Sequence, residues 1–251
     1  MNDESGLLAK RFLELSHKSG SGGYYLFSDF LGLAELSVLE GVRGRLYSPV
    51  TLFGGAEGAE RVIAAFGDEE EIGYPPPFPI VCIKAEPKSA RFAERLTHRD
   101  FLGALMNLGI ERDTLGDIII RESVGYIFAS EKIAPFILSS LARVRNTDMT
   151  LSVCESLPEG ALYTTERITI QISSERLDAI IARAFHLSRE AAQAYFGRKL
   201  VFVDGRLCES PSHSPREGQT VSVRGLGRLV WHGSVGLTKK GKLNCTLDLY
   251  K

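Results

Sequence analysis

The residues best suited to chemistry are basic and lie in the last third of the chain. Arg176 and Arg183 fall outside an apolar helical face made by Leu177, Ile180, Ile181, Ala184 and Phe185. Ser188 and Arg189 open the next helix, which stops at Gly197, so its first amides and the Arg189 guanidinium face one solvent region. Positive helix ends and guanidinium forks suit phosphate. Arg198 and Lys199 follow that helix, and Arg206 lies just past an Asp204-Gly205 hairpin turn. Two readings are open on these residues: a surface for RNA, or a solvated basic face that complements helix C-termini. Neither Arg189 nor Lys199 sits on the apolar face, so reversing their charge is expected to leave the fold intact.

Other chemistry-bearing groups read more blandly. Gly54-Gly55-Ala56-Glu57-Gly58 lacks the Lys-Ser/Thr of a phosphate loop and the spacing of a dinucleotide fingerprint, so it is assigned as a tight, closely packed turn. Asp113 and Asp117 flank a turn and are assigned as backbone-bonded caps rather than metal ligands. Tyr126 and Phe128 share one strand face, and such aromatics are more often core than RNA-stacking platforms. Trp231 either stacks on a base or packs beneath the C-terminal extension. The five histidines are scattered, with no metal pair and no triad motif. The expectation is no catalytic residue, no metal and no cofactor.

The elements that position these groups fall into three expected parts. Residues 1–75 read as mostly helical. Ser-Gly-Ser-Gly-Gly at 19–23 is expected to break a first helix, a second is expected from Ser28 to Leu39 with Ser28 as N-cap, and AERVIAAF is expected as a short helix. YPPPFP at 74–79 marks a boundary, since consecutive prolines neither continue a helix nor pair inside a sheet. Residues 76–160 alternate as β-α-β-β-α-β, the ferredoxin-like order shared by RNA-recognition folds, with its last helix at Lys132–Val144. Residues 166–251 form a small α/β module. The fold class is therefore α+β.

The chain has 251 residues, 44% hydrophobic and 24% charged, which excludes wholesale disorder and a disulfide scaffold. The charge is unevenly spread. From Ile170 onward there are 13 basic and 7 acidic residues, while the preceding part is net acidic, an asymmetry that points to an acidic partner for one end. The four cysteines have no metal-type spacing, and Cys82 and Cys154 read as buried thiols of a reducing compartment. No membrane span and no signal peptide are expected.

Arg176-Leu177-Asp178, Ser188-Arg189, Asp204-Gly205 and Glu217-Gly218-Gln219 resemble the RNA-binding domain named after ribosomal small-subunit protein four. Phe196-Gly197-Arg198-Lys199 and Gln219 depart from its pattern without removing the basic face. The resemblance implies that Arg176, Ser188, Arg189, Gln193, Arg198, Lys199 and Arg206 face structured RNA. Beyond it, Arg224-Gly225-Leu226-Gly227-Arg228 and Thr238-Lys239-Lys240-Gly241-Lys242 resemble the ending of the YlmH family, with Leu226 in place of an aromatic. FGGAEGAERVIAAF and LTHRDFLGALMNLGIERDTLGDIII resemble its middle.

What this family resemblance implies is a cytoplasmic, monomeric, non-catalytic protein. It would bind the large ribosomal subunit through rRNA and peptidyl-tRNA, in ribosome-associated quality control of stalled nascent chains. The expected RNA-binding set is Arg176, Arg183, Ser188, Arg189, Gln193, Arg198, Lys199, Arg206, Arg224, Arg228, Lys239 and Lys240. Two alternatives remain open: an RNA-modifying enzyme of the pseudouridine-synthase or methyltransferase kind, and an RNA-binding factor in cell division or photosystem biogenesis. The upstream sequence lacks HIGH-like and KMSKS-like stretches, which argues against a synthetase.

Overall fold

Phe12, Leu15, Ser16 and Ser19 recur at helical spacing, and helix α1 (Asp3–Gly22) buries all four. The computed structural model describes residues 3–89, 94–154, 164–239 and 241–250, with backbone alone at Asp3. α1 runs through the Ser-Gly-Ser-Gly stretch expected to break it. Packing explains why: the buried Ser19 hydroxyl lies 2.6 Å from the Phe66 carbonyl oxygen and 2.8 Å from that of Tyr24. A Cβ at Gly20 would lie 2.5 Å from Cδ1 of Tyr47, so the small residue lets that ring lie against the helix.

The rest of the first 75 residues is less helical than expected. A three-stranded antiparallel sheet has the order β1 (Leu26–Phe27), β3 (Ile63–Phe66), β2 (Val50–Phe53). The segment expected as a helix ends in β3, whose four residues are all buried. A strand covered on both faces reads as an unbroken apolar run, which periodicity alone does not separate from a helix. Helix α2 (Leu33–Val42) starts five residues after Ser28. Ser28 is therefore not its cap; its hydroxyl accepts from the Ala64 N–H at 2.9 Å and ties the chain to β3. The acidic run after Asp68 forms one turn, α3 (Glu69–Ile72), capped by the Asp68 side chain.

Next come β4 (Ile80–Pro87), α4 (His98–Asn107), β5 (Leu115–Arg121), β6 (Val124–Ser130), α5 (Ala134–Ser140), β7 (Arg143–Val144) and β8 (Thr147–Val153). The sheet is antiparallel, in the order β5-β6-β4-β8-β7. Setting aside the short β7, this is the spatial order of a split βαβ unit. The core between this sheet and its helices includes Ile83, Phe101, Leu105, Ile127 and Ile137. α5 is shorter than the expected 132–144, because Arg143 and Val144 leave the helix to pair with Thr147 and Asp148. The Arg143 guanidinium meets Asp148 at 2.8 Å across that hairpin. Cys82 and Cys154, expected to be buried, are only half-buried, and the Cys154 N–H donates to the Cys82 carbonyl at 2.8 Å. Burial, then the Cys154 neighbour, pushes the Cys82 thiol up to about 12.

The chain divides into two compact units, Met1–Gly32 with Val42–Leu162, and Leu33–Gly41 with Tyr163–Lys251. The boundary expected near residue 75 thus falls inside the first unit. Its two halves are fastened by Arg61, which donates to the carbonyls of Leu115, Phe30 and Arg112, and by Asp117, which accepts from the backbone of Glu60 and Arg61.

In the second unit a six-stranded antiparallel sheet runs β11 (Arg206–Leu207), β10 (Val201–Val203), β12 (Thr220–Val223), β13 (Gly227–Leu237), β14 (Leu243–Tyr250), β9 (Thr165–Ile172). Its core joins Trp231, Leu229 and Leu247 to α6 (Leu177–Ala184) and α7 (Arg189–Gly197). Trp231 is 1% exposed and therefore packs beneath the extension. The extension is itself the β13–β14 hairpin, which β9 closes by pairing along all of β14. Residues of α2 dock on the β10–β11 end: the Leu207 N–H donates to the Ser37 hydroxyl at 2.9 Å, and Leu36 Cβ lies against Gly205.

Gly55 has φ +94°, and a Cβ there would overlap the buried Phe128 ring. Gly55→Ala is expected to destabilise the first unit by about 2 kcal/mol, through left-handed backbone strain and overpacking. A denaturant melt with Trp231-independent detection, such as far-ultraviolet circular dichroism, checks this; an unchanged midpoint would contradict the packing account.

Candidate nucleic-acid interface

A carboxylate near the start of an amphipathic helix ordinarily stays in water, where it complements the helix dipole. Asp178, the second residue of α6, is instead completely buried. Its oxygens accept from Arg176 Nε (3.1 Å) and Nη2 (3.0 Å), from Arg189 Nε (3.2 Å) and Nη2 (3.4 Å), and from Gln193 Nε2 (3.0 Å). Burial alone would raise its pKa. The hydrogen bonds from Arg176, Gln193 and Arg189 outweigh that, and the carboxyl is held well below the usual carboxylate range.

Local sequence explains the convergence. Arg176 is extended and precedes the first turn of α6, so its side chain folds back on Asp178. The tight link between helices places His186 at φ +54° and closes with Leu187 N–H donating to Ala182 O. Ser188 then caps α7 by accepting from the Ala191 N–H at 3.1 Å. Arg189 and Gln193, one turn apart on α7, therefore meet the same carboxylate. Arg176 and Arg189 keep 36% and 52% of their side chains exposed, and each commits only two of five N–H donors to Asp178. The result is a pair of guanidinium groups fixed from below, with a net positive face toward solvent.

The other expected residues are distributed differently. Arg183 is exposed in the last turn of α6. Arg198 lies 6.0 Å from the Tyr195 ring, and Lys199, at φ +57°, pairs with Glu209 at 3.2 Å. Arg206 is turned toward α2 and meets Glu40 at 3.1 Å. Arg224 and Lys239 are exposed; Arg228 is half-buried with its guanidinium 3.8 Å from the centre of the Tyr250 ring. Lys240 lies outside the described residues. The structure thus brings together Arg176, Arg189 and Gln193, with Ser188 as the helix cap beside them. The charge reversal of Arg189 expected to spare the fold would instead set a second carboxylate against buried Asp178. Asp178 closes the Arg-Leu-Asp motif, yet its place as the hub was not legible, because burial of a charge leaves no local mark.

The aromatic strand residues are accounted for by packing. Phe128 is 1% exposed beneath Gly55 and Tyr126 is 8% exposed, so Phe128 offers no ring to RNA. The Asp117 carboxylate accepts from the backbone N–H groups of Glu60 and Arg61, whereas Asp113 accepts from the Phe30 N–H through its main-chain carbonyl. Among the described residues no cluster of three or more histidine, cysteine or acidic side chains is arranged to hold a metal. His232 instead lies 2.7 Å from Asp248, which also accepts from Arg167 at 2.8 Å.

Residues 81–157, covering β4 to β8, match the family described as "Putative RNA-binding domain in YlmH". Over 231 residues, 89% of this chain and 87% of the relative, the sequence is 29% identical to ribosome-associated protein quality control protein P2 of Bacillus subtilis. Over residues 81–157 the chain is similar to the YlmH family. A solved structure, the cell division protein ylmH from Streptococcus pneumoniae, aligns with TM-score 0.48 at 20% identity, over 61% of this chain and 93% of that one. The Asp178 cluster lies outside the segment matched by the YlmH RNA-binding pattern.

Asp178→Asn is expected to destabilise the protein by about 2–3 kcal/mol, the scale of lost charge-assisted hydrogen bonds. Because the folded carboxyl is depressed, its stabilisation is complete above the ordinary value of about 4 and is lost as pH falls through the folded value. Melting curves between about pH 5 and pH 2 should therefore fall less steeply for Asp178→Asn than for the parent. Parallel curves would remove Asp178 from the account.

Proposed function

We propose that this chain is a non-catalytic RNA-binding protein of the YlmH family that works on the large ribosomal subunit, in quality control of stalled nascent chains. The quality-control part of the reading is supported by the name of the Bacillus subtilis relative and the length of the match to it. The RNA-binding part is supported by the match over β4 to β8. The observation that carries it on this molecule is the guanidinium pair of Arg176 and Arg189, fixed by Asp178.

The proposed chemistry is phosphate neutralisation and shape reading of folded RNA, with little base code. The second unit is proposed to contain a domain of the ribosomal-protein-S-four type, and the first an RNA-recognition-like sheet. Arg176, Arg183, Arg189, Gln193, Arg198 and Lys199 would line the principal face. Arg224, Arg228, Lys239 and Lys240 would extend it along the β13–β14 hairpin, a stretch without an acidic residue from Gly218 to Leu247. Arg206, held by Glu40, is the weakest member of the set. The targets are rRNA and peptidyl-tRNA lying close together. Binding to both then acts as one bivalent site and raises avidity without tightening either interaction. The proposed protein is a cytoplasmic monomer; no described helix is long and apolar enough to cross a membrane.

The test uses the whole chain, because α2 is part of the second unit. Sedimentation with purified large subunits at fixed salt should increase when the subunits retain peptidyl-tRNA. Arg176→Ala with Arg189→Ala should weaken binding and flatten its dependence on salt concentration, by roughly one logarithmic unit of slope for each phosphate no longer neutralised. Equal sedimentation with empty and peptidyl-tRNA-bearing subunits would argue for a general RNA binder. Turnover of tRNA or rRNA nucleosides by the pure protein would favour an enzyme.

A further inference from the structure

Tyr47 is the most exposed aromatic side chain among the described residues, at 68%, and it lies in the first unit, with Arg43 and Arg45 shortly before it in the sequence. Single exposed aromatics are ordinary and need no explanation. Tyr47 differs in how firmly it is held. Its ring lies over the backbone of α1, where Gly20 leaves the space, and its centre is 5.3 Å from the His17 imidazole at a 45° tilt. The next residue anchors the chain: the Ser48 N–H donates to the Ser16 hydroxyl at 2.8 Å, and the Ser48 hydroxyl donates to the Ser16 carbonyl at 2.9 Å, both out of water. The ring is therefore fixed without being covered.

The chain around it in sequence carries only basic charge. Arg43 and Arg45 belong to the exposed single-turn helix Arg43–Arg45, which Leu46 joins to Tyr47; Arg43 Nη2 also donates to the Val50 carbonyl at 3.4 Å, and Lys18 is exposed on α1 next to His17. No acidic residue occurs from Gly41 to Ala56, although this unit belongs to the net acidic part of the chain. A pre-positioned aromatic face beside guanidinium groups is the pattern by which proteins hold unpaired nucleotides, with the base on the ring and the phosphate on the cation. An acidic or purely apolar partner has no use for one of these two components.

We propose that Tyr47, backed by His17 and flanked by Arg43 and Arg45, is a stacking site for an unpaired RNA nucleotide. The site shares no residue with the Asp178 cluster and does not depend on the large-subunit reading. It recognises a single-stranded segment, such as a loop or a free end, with little preference for sequence, since every base has a π-face.

The experiment measures fluorescence anisotropy of the full-length protein with two labelled probes, an unstructured 12-nucleotide RNA and a 12-base-pair RNA duplex. Tyr47→Ala should weaken the single strand by about five- to a hundredfold, while the duplex changes less than twofold. Tyr47→Phe should retain the affinity, and Tyr47→Leu should lose it as Ala does, because stacking needs a ring. Arg45→Ala should weaken the single strand further at low salt. The ring is mostly exposed and packs on α1 at Gly20 and His17, so thermal melting of each variant should show the fold retained with at most a small shift of the midpoint. Absence of single-strand binding by the parent, unchanged binding by Tyr47→Ala, or full rescue by Leu would each overturn the proposal. Rescue by Leu would mark the patch as an apolar protein-docking surface. Loss of large-subunit binding in Arg176→Ala with single-strand binding intact would show the two sites to be independent.

Discussion

The second unit is organised around one buried negative charge. Taking a carboxylate out of water costs several kcal/mol unless its partners are close and well oriented. Asp178 meets that condition with five hydrogen bonds from Arg176, Arg189 and Gln193. The arrangement settles more than the carboxylate. It fixes the start of α6, sets the position of α7, and holds two long side chains that would otherwise sample many rotamers. Guanidinium groups already ordered lose less freedom on meeting an anion, which is where preorganisation adds affinity.

The first unit works by a different device, which is small residues that admit large ones. Gly55 and Gly116 stand where Phe128 and Phe30 need space, and Gly20 does the same for Tyr47. The first two cases bury the aromatic ring. The third leaves a ring in solvent, pinned on one side. The same chemical motif, glycine beneath an aromatic, thus yields core packing at Phe128 and a surface platform at Tyr47.

Legibility in the sequence followed the range of the interaction. The β5–β6 hairpin, the Asp204-Gly205 turn, the Ser188 cap and the alternating β12 are local, and short-range chemistry marks them. Four buried residues in β3 carried no period to distinguish strand from helix. Ser-Gly-Ser-Gly reads as a flexible stretch until Phe66 and Tyr47 close over it in three dimensions. Arg206 gave no sign of its ion pair because its partner, Glu40, lies 166 positions earlier. Asp178 was visible as a residue and invisible as a hub. Tyr47 gave no sign at all, since the anchoring serine pair spans 32 positions.

The placement of α2 sets an order on biosynthesis. Leu33–Gly41 leave the ribosome well before the strands on which they finally rest, while the flanking segments already have partners within the first unit. The helix must wait until Arg206 and Leu207, the partners of Glu40 and Ser37, have been translated. Pairings of such long sequence separation form late and slow the search for the native state. The second unit therefore matures only after the first has largely taken shape, and a nascent chain stopped short of Leu207 lacks the surface that retires α2.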